Sequence, residues 1–214
     1  MASRNYTSAD HIIEQFDQGL RTLFGNPPLT ERENPAENIS DTDLSDAERD
    51  HIARLMRINH TGEVCAQALY QGQALTAKDP NVRISMERSA AEENDHLDWC
   101  EKRVHELGGR LSLLNPIWYT SSLALGAFAG AVGDKWSLGF VAETEKQVEG
   151  HLDEHLEQVP ERDQKTRAIL EQMKIDEIEH GEKAKAIGGV DLPSPIKLAM
   201  KMTSKIMTKS VYRI

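Results

Sequence analysis

Hydrophobic positions recur every three to four residues along most of the chain, which predicts a protein built from helices. The first stripe, over residues 8–24, predicts a helix that packs on the core rather than on a partner or a membrane. Its apolar members are Ile12, Ile13, Phe16, Leu20, Leu23 and Phe24. Residues 25–44 are polar and contain prolines, so they predict a linker or an arm that wraps around the body.

Capping and helix-breaking residues delimit the helices that follow. Ser45-Asp46-Ala47-Glu48 has the form of a capping box, which predicts a helix from about 46 to Lys78. Asp79-Pro80-Asn81 then turns the chain into a second helix, which ends at Leu107 before a pair of glycines. Later helices are predicted over about 135–158, over about 161–187 and after Pro195.

The segment from 111 to 133 contains no charged side chain. Its length alone permits a membrane span, and the small residues Ser122, Gly126 and Gly130, spaced four apart, allow helices to approach closely. The most hydrophobic part, from Ile117 to Val132, is short, and polar residues dilute its start. We therefore expect a buried or membrane-dipping helix over 116–133 rather than a true span.

The last predicted helix carries a cation at every fourth position. These cations are Lys197, Lys201, Lys205, Lys209 and Arg213, and Leu198, Met202, Ile206 and Val211 supply apolar surface beside them. A basic amphipathic helix of this kind is typical of contact with an anionic membrane surface. The alternative is a solvated face on a helix that packs against an acidic body.

Composition narrows the classes of function. With 214 residues, of which 39% are hydrophobic, the chain can bury a full core. We predict an N-terminal helix and arm over 1–45 and one domain over 46–214. The net charge of −10 argues against nucleic acid as a partner. Acidic residues within the first stripe argue against a signal or transit peptide, so we interpret Cys65 and Cys100 as reduced packing residues in a cytosolic setting.

One pattern of acidic residues and histidines occurs in both halves of the chain. A lone glutamate is followed some thirty residues later by a Glu-x-x-His pair: Glu63 with Glu93 and His96, and Glu145 with Glu177 and His180. On a helix, residues three apart lie about 60° apart around the axis, so each pair can aim at one point. One helix, a turn and a returning helix would bring the lone glutamate level with its pair. The pattern therefore predicts four helices that converge on one site.

The Glu-x-x-His motif is weak by itself, because a third match, Glu48 to His51, also occurs. His51 precedes Glu63 by twelve residues, about 18 Å along a helix, so the two cannot share a metal centre. We interpret Glu48 as the partner in the capping box and His51 as a surface residue. Each of the other two matches follows a lone glutamate by about thirty residues. This shared spacing distinguishes them from the match at Glu48.

This ligand set is the arrangement of di-iron carboxylate proteins. Four carboxylates balance two divalent cations, whereas four buried glutamates without metal would be very costly. Zinc fits less well, since zinc sites usually have fewer ligands and often sulfur. Manganese accepts the same ligands and is not distinguished from iron. The alternative is four glutamates on the solvated faces of helices.

Several residues near the predicted ligands are candidates for supporting roles. His151 lies about 120° around the helix from Glu145, and a place beside the metals and a place in the core remain equally open. Tyr70 could be a redox or hydrogen-bonding group near the metals, although a core tyrosine is slightly favoured. Asp95 and Asp176 could accept hydrogen bonds from the ligand imidazoles.

The lead-in to Glu63 and the later motifs together resemble the bacterial type of the demethoxyubiquinone hydroxylase family of ubiquinone biosynthesis. They are Arg57-Ile58-Asn59-His60-Thr61-Gly62-Glu63, Tyr70-Gln71-Gly72-Gln73, Glu93-x-x-His96, Glu145 with His151, and Glu177-x-x-His180. The resemblance covers about 46–214, and the preceding arm is similar to the N-terminal extension of bacterial members. Glu145 is chosen over Glu143 and Glu149 because His151 follows it at the spacing of the family.

The resemblance implies an all-α, ferritin-like four-helix di-iron bundle, with an extra apolar helix between its halves and a basic amphipathic helix at its C-terminus. Two iron ions would be held by Glu63, Glu93, His96, Glu145, Glu177 and His180. The implied reaction is hydroxylation of the ring of a prenylated demethoxyubiquinol with O₂ and two electrons, for which NADH and the quinol itself are the candidate donors.

The implied setting is peripheral, at the cytoplasmic face of the cell membrane, with an anionic lipid surface and other ubiquinone-biosynthesis proteins as partners. Two alternatives remain. One is a ferritin-like iron-binding or storage protein, which gives no reason for the apolar segment or the basic helix. The other is a di-iron hydroxylase of a polar substrate such as tRNA, which the net charge disfavours.

Overall fold

The computed structural model describes residues 8–25, 27–30 and 32–214, and in the first helix the side chains of residues 8–12 and of Gln15 are not described. The described part of the chain forms helices and no strand, as the periodicity predicts. The helices are α1 (Ser8–Phe24), α2 (Asp46–Thr76), α3 (Pro80–Glu106), α4 (Asn115–Val132), α5 (Asp134–Gln158), α6 (Gln164–Ala186) and α7 (Ser194–Val211).

Local caps set the ends of these helices. The capping box at Ser45 is confirmed, since the Glu48 amide donates to Ser45 Oγ at 3.3 Å and the Ser45 amide donates to Glu48 Oε2 at 2.9 Å. The start predicted for α6 is three residues too early. Asp163 is its N-cap, accepting from the Thr166 amide at 3.2 Å, and the side chain that satisfies the first-turn amides decides where a helix begins.

Two apolar clusters fill the bundle formed by α2, α3, α5 and α6. The first lies around Met56, Trp99, Leu152 and Met173, and the second around Tyr70, Met86, Val141 and Ala184. Each of the four helices contributes to both clusters. Along each helix, the predicted metal ligands lie between the residues of the first cluster and those of the second. The ligands therefore lie in the middle of the bundle.

Helix α4 packs closely along α2 through glycine. A Cβ atom on Gly126 would overlap the Leu69 carbonyl, and one on Gly72 would overlap the Leu123 carbonyl. The opposite face of α4 is open, with Ile117 62% and Phe128 67% exposed. Of the helices described, none combines the length and the hydrophobicity needed to cross a bilayer. One face of α4 is therefore covered by α2, and the other face is exposed.

The prediction that the stripe of α1 packs on the core is wrong for most of its residues. The exposed members are Ile13 (66%), Phe16 (68%), Leu20 (43%) and Phe24 (74%); the side chain of Ile12 lies outside those described. Helix α1 instead rests on α2 and α4 through Gly19, Thr22 and Leu23. Among the side chains of α1 that the structure describes, this narrow face is the covered one.

The segment between α1 and α2 is an arm that wraps around the bundle, one of its two predicted forms. Ala36 and Leu44 join the first apolar cluster, and Thr42 donates to the Arg162 carbonyl at 2.7 Å. Arg32 reaches Asp176 on α6. The arm therefore extends the core and touches the residues around the predicted ligands.

Helix α7 lies against α2 and α5, and only Val211 in it is buried. Leu198, Met202 and Ile206 are 58–61% exposed, and the cations Lys201, Lys205, Lys209 and Arg213 are exposed as well. Lys197 differs, since it pairs with Asp191 at 2.6 Å and with Glu143 at 3.5 Å. The outer face of α7 is thus basic and apolar at once.

Candidate metal centre

The structure brings all six predicted ligands together inside the bundle. They form two groups of four whose ligand atoms lie within 4.8 Å of one another: Glu63, Glu93, His96 and Glu177 in one, and Glu93, Glu145, Glu177 and His180 in the other. No member is more than 3% exposed. Since Glu93 and Glu177 belong to both groups, they can bridge two metal ions while the remaining residues each serve one.

The Nδ1 atoms of both histidines face the carboxylates. His96 Nδ1 lies 3.1 Å from Glu93 Oε2 and 3.4 Å from Glu177 Oε1. His180 Nδ1 lies 3.2 Å from Glu93 Oε1, without the alignment of a hydrogen bond. Both rings therefore offer the same nitrogen to the centre and turn Nε2 outward.

Each outward Nε2 atom meets a carboxylate from the opposite helix. His96 on α3 is 2.8 Å from Asp176 Oδ2 on α6, and His180 on α6 is 2.7 Å from Glu92 Oε2 on α3. A histidine that binds a metal usually donates its other ring N–H to a carboxylate or carbonyl, which fixes the tautomer and the orientation of the ring. Each histidine is therefore oriented by a carboxylate from the helix that carries the other histidine.

Tyr70 reaches the same centre from α2. Its hydroxyl donates a hydrogen bond to Glu145 Oε1, and its ring lies 6.2 Å from the ring of His180. Burial, together with the charge of Glu145, raises the pKa of Tyr70 well above the ordinary value. The favoured interpretation as a plain core tyrosine is incomplete, because the hydroxyl orients a predicted ligand.

Several buried polar atoms of the centre lack hydrogen bonds within the described part of the chain. Both oxygens of Glu177, Oε1 of Glu93, Oε2 of Glu145 and Nδ1 of His180 have no hydrogen-bond partner there. Such atoms are costly to bury unless something binds them. Hard oxygen donors with two imidazoles suit first-row divalent metals such as iron or manganese, so the residues present fit a two-metal centre.

The charges of the cluster also favour a two-metal centre. Burial, reinforced by neighbouring carboxylates, raises the pKa of Glu63 and of Glu145 well above the ordinary value. Burial would lower the pKa of His96, but the surrounding carboxylates of Asp176 and three glutamates outweigh it and raise that pKa. The cluster thus demands positive charge from protons or cations, and two divalent ions would balance its four carboxylates.

Other candidates from the sequence lie elsewhere. His151 belongs to neither group; its ring packs 4.0 Å from the ring of His155, and burial lowers its pKa. Glu143, the rival of Glu145, pairs with Lys197 outside the cluster. Asp176 accepts from His96 as predicted, but Asp95 does not, because its carboxylate accepts from the amide and hydroxyl of Thr30.

Sequence reasoning missed Glu92 and Arg32. Arg32 Nη2 lies 2.5 Å from the same Asp176 Oδ2 atom that faces His96. A signal for Glu92 was present, since an acidic residue directly precedes the glutamate of each pair: Glu92 before Glu93, and Asp176 before Glu177. No periodic signal marks Arg32, because it lies in the arm.

Comparison with known proteins agrees with this geometry. The family described as "Ubiquinone biosynthesis protein COQ7" matches residues 50–211. A protein of Ectopseudomonas mendocina (strain ymp), named 3-demethoxyubiquinol 3-hydroxylase, is 59% identical over the full length of both chains. Proteins of the same name from Chromobacterium violaceum and Dechloromonas aromatica are 55% and 54% identical over 96% of this chain and 99% of their own. The chain therefore belongs to the COQ7 family of ubiquinone biosynthesis proteins, whose fold is a ferritin-like di-iron helical bundle.

Proposed function

We propose that this chain is a di-iron monooxygenase that hydroxylates the ring of a prenylated demethoxyubiquinol with O₂. The observation that carries the proposal is the pair of buried four-residue groups that share Glu93 and Glu177. They occur in a chain that is 54–59% identical to proteins named 3-demethoxyubiquinol 3-hydroxylase. Composition and fold alone would leave the substrate open.

The residues take different parts in this proposal. Glu63 and His96 would hold one iron, Glu145 and His180 would hold the other, and Glu93 and Glu177 would be shared by both. When bound, iron would supply the redox chemistry with O₂. The overall reaction would take two electrons, from NADH or from the quinol itself, and would place one oxygen atom on the ring and the other in water. The chain positions the ligands, with Asp176 and Glu92 holding the two histidines and Tyr70 holding Glu145.

The surroundings of the cluster favour chemistry away from bulk water. One apolar cluster lies on each side of the ligands along the bundle, and the ligands themselves are almost fully covered. Excluding water strengthens electrostatic interactions in a site and suppresses side reactions of reactive species. A ring that reached the centre would be shielded from bulk water by these apolar clusters.

We further propose that the substrate enters from a membrane to which the protein binds peripherally, at the cytoplasmic face of the cell membrane. A polyprenyl tail is insoluble in water, so the enzyme must meet it at a lipid surface. Helices α4 and α7 both leave large apolar side chains exposed, among them Phe128 and Ile206. The exposed lysines of α7 supply the attraction to anionic lipid that such binding needs.

A storage function is less well supported. It would use the same ligands but would not require the exposed apolar faces of α4 and α7. The relatives that match this chain over its full length are named as hydroxylases. A polar substrate such as tRNA is disfavoured by the net charge of −10.

The proposal is tested in a strain that lacks its own demethoxyubiquinol hydroxylase, by measuring whether this chain converts the accumulated demethoxyubiquinone. Glu177→Ala is expected to abolish conversion and metal binding while helicity is retained, because both groups lose a shared ligand. Glu179→Ala is the matched control, since Glu179 is exposed and pairs with Lys183 rather than with a residue of the centre.

The outcomes separate the parts of the proposal. If the chain holds two irons but converts no demethoxyubiquinone, the substrate is wrong. If Glu177→Ala still holds two irons per chain, the ligand set is wrong. If Glu179→Ala loses as much activity as Glu177→Ala, the effect does not come from the centre.

A further inference from the structure

The N-terminal arm is fastened to α3 at the residues between its two predicted ligands. The Thr30 amide donates to Asp95 Oδ1 at 2.8 Å, and the Thr30 hydroxyl donates to Oδ2 of the same carboxylate. Asn94 Nδ2 donates to the Pro28 carbonyl at 3.0 Å. Asn94 and Asp95 lie between Glu93 and His96 in sequence but point away from these ligands around the helix, so the arm is fastened to the outer side of α3 at the level of the centre.

From this position Arg32 completes a chain of contacts to His96. Its Nη2 atom lies 2.5 Å from Asp176 Oδ2, and that oxygen lies 2.8 Å from His96 Nε2. The guanidinium also lies 5.1 Å above the ring of Trp99, which packs 5.3 Å from the ring of His96. Arg32 thus reaches His96 through a carboxylate and through an aromatic ring.

The second histidine is supported differently. His180 Nε2 faces Glu92, whose cationic partner Arg88 lies one turn earlier on the same helix. The side chain of Arg88 is 77% exposed, whereas that of Arg32 is 34% exposed. An exposed pair within one helix contributes little, so the two histidines differ in how strongly a cation neutralises the carboxylate behind them.

We propose that Arg32 is a positioning residue of the metal centre, which acts through Asp176 to weaken the pull of that carboxylate on the Nε2 proton of His96. This inference rests on the proposed function, because it assumes that His96 binds iron. A carboxylate behind a ligand histidine raises the basicity of the imidazole. By pairing with Asp176, the guanidinium limits that effect and makes His96 a weaker electron donor.

The direction of the effect on iron follows from charge. A stronger donor stabilises the ferric state more than the ferrous state, so it lowers the midpoint potential. Removing Arg32 leaves Asp176 free to pull on His96, and the loss of a positive charge near the centre acts in the same direction. The iron-loaded protein without Arg32 is expected to have a lower midpoint potential than the wild type.

The experiment is a redox titration of the iron-loaded full chain without substrate, with iron content measured in parallel. Arg32→Ala and Arg32→Gln remove the charge, and both are expected to lower the midpoint potential while two irons stay bound. Arg32→Lys keeps a cation beside Asp176, so its midpoint potential is expected to stay close to that of the wild type. Arg88→Ala is the matched control and is expected to change the potential less than Arg32→Ala.

A double-mutant cycle tests whether Asp176 transmits the effect. In an Asp176→Asn background, Arg32→Ala is expected to cause a smaller shift than in the wild type, because the carboxylate on which it acts is gone and only the direct effect of the lost charge remains. An equal shift in both backgrounds would overturn the proposed route, and no shift in either neutral Arg32 variant would overturn the inference itself. A wild type that binds no iron would overturn the proposed function and this inference together.

Discussion

At the scale of single residues, each half of the centre supplies the carboxylate that orients the histidine of the other half. Each Glu-x-x-His pair is preceded by an acidic residue, and that residue supports the histidine of the other pair: Glu92 on α3 faces His180, and Asp176 on α6 faces His96. This support crosses the bundle, because each outward-turned Nε2 points at the neighbouring helix.

Tyr70 offers a test of how far such supports matter for metal binding. Its hydroxyl donates to Glu145 Oε1, and Tyr70→Phe removes this bond while the ring remains. Mutations of groups that orient metal ligands typically weaken metal affinity about 10–100-fold. We expect a loss in that range for Tyr70→Phe, measured by competition with a metal chelator.

Tyr212→Phe serves as the control for Tyr70→Phe. It removes the hydrogen bond between the Tyr212 hydroxyl and His51 Nδ1 at 2.9 Å, which involves none of the six predicted ligands. We expect its metal affinity to equal that of the wild type. Equal affinities for all three proteins would mean that Glu145 needs no help from Tyr70.

At the scale of elements, the sequence predicted the helices well wherever a local signal fixed an end. The capping box at Ser45 and the glycines Gly108 and Gly188, both with positive φ, marked boundaries within a few residues. Helix α1 shows what periodicity leaves open: its stripe was visible, but which surface covers it depends on α2 and α4. The contact of Arg32 with Asp176 depends on the path of an arm without periodicity, so it could not be predicted.

The contact between α2 and α4 depends on glycine at the crossing. A Cβ atom on Gly126 would overlap the Leu69 carbonyl, and backbone cannot rotate away as a side chain can. Gly126→Ala is therefore expected to lower the free energy of unfolding by about 1–3 kcal/mol, the usual range for overpacking. Chemical denaturation of the purified protein measures this change.

Gly150→Ala is the matched control within α5. A Cβ atom there meets nothing within 4 Å, and alanine favours a helix by about 1 kcal/mol over glycine. We expect this variant to be as stable as the wild type or more stable. If Gly126→Ala were equally well tolerated, α4 would not depend on close approach to α2.

At the scale of the whole molecule, the acidic residues of the centre and the exposed basic residues of α7 lie in different parts of the protein. The chain carries a net charge of −10, and part of that excess lies in the four buried carboxylates of the centre. The exposed cations of α7 stand out against this acidic body, beside apolar residues that nothing in the described part of the chain covers. An acidic protein with one basic and apolar face can approach an anionic surface in a defined orientation.

This orientation yields a prediction for binding to lipid vesicles. The double variant Lys201→Glu/Lys205→Glu reverses two exposed charges on α7, and each lysine near an anionic surface contributes about 1 kcal/mol. We expect at least about a thirtyfold loss of partitioning onto vesicles that contain phosphatidylserine, measured by co-sedimentation. Binding of the wild type should also weaken as salt is added, because salt screens exposed charges.

The control reverses two lysines on other helices, Lys102→Glu/Lys183→Glu, so that the net charge changes equally. Lys102 is exposed and Lys183 is partly exposed. Each pairs within its own helix, with Asp98 and Glu179 respectively. If binding depends on the face of α7, this control loses little, since its charges are not beside the apolar residues Met202 and Ile206. Equal losses in both double variants would mean that net charge alone governs binding, and α7 would then not be the membrane-facing helix.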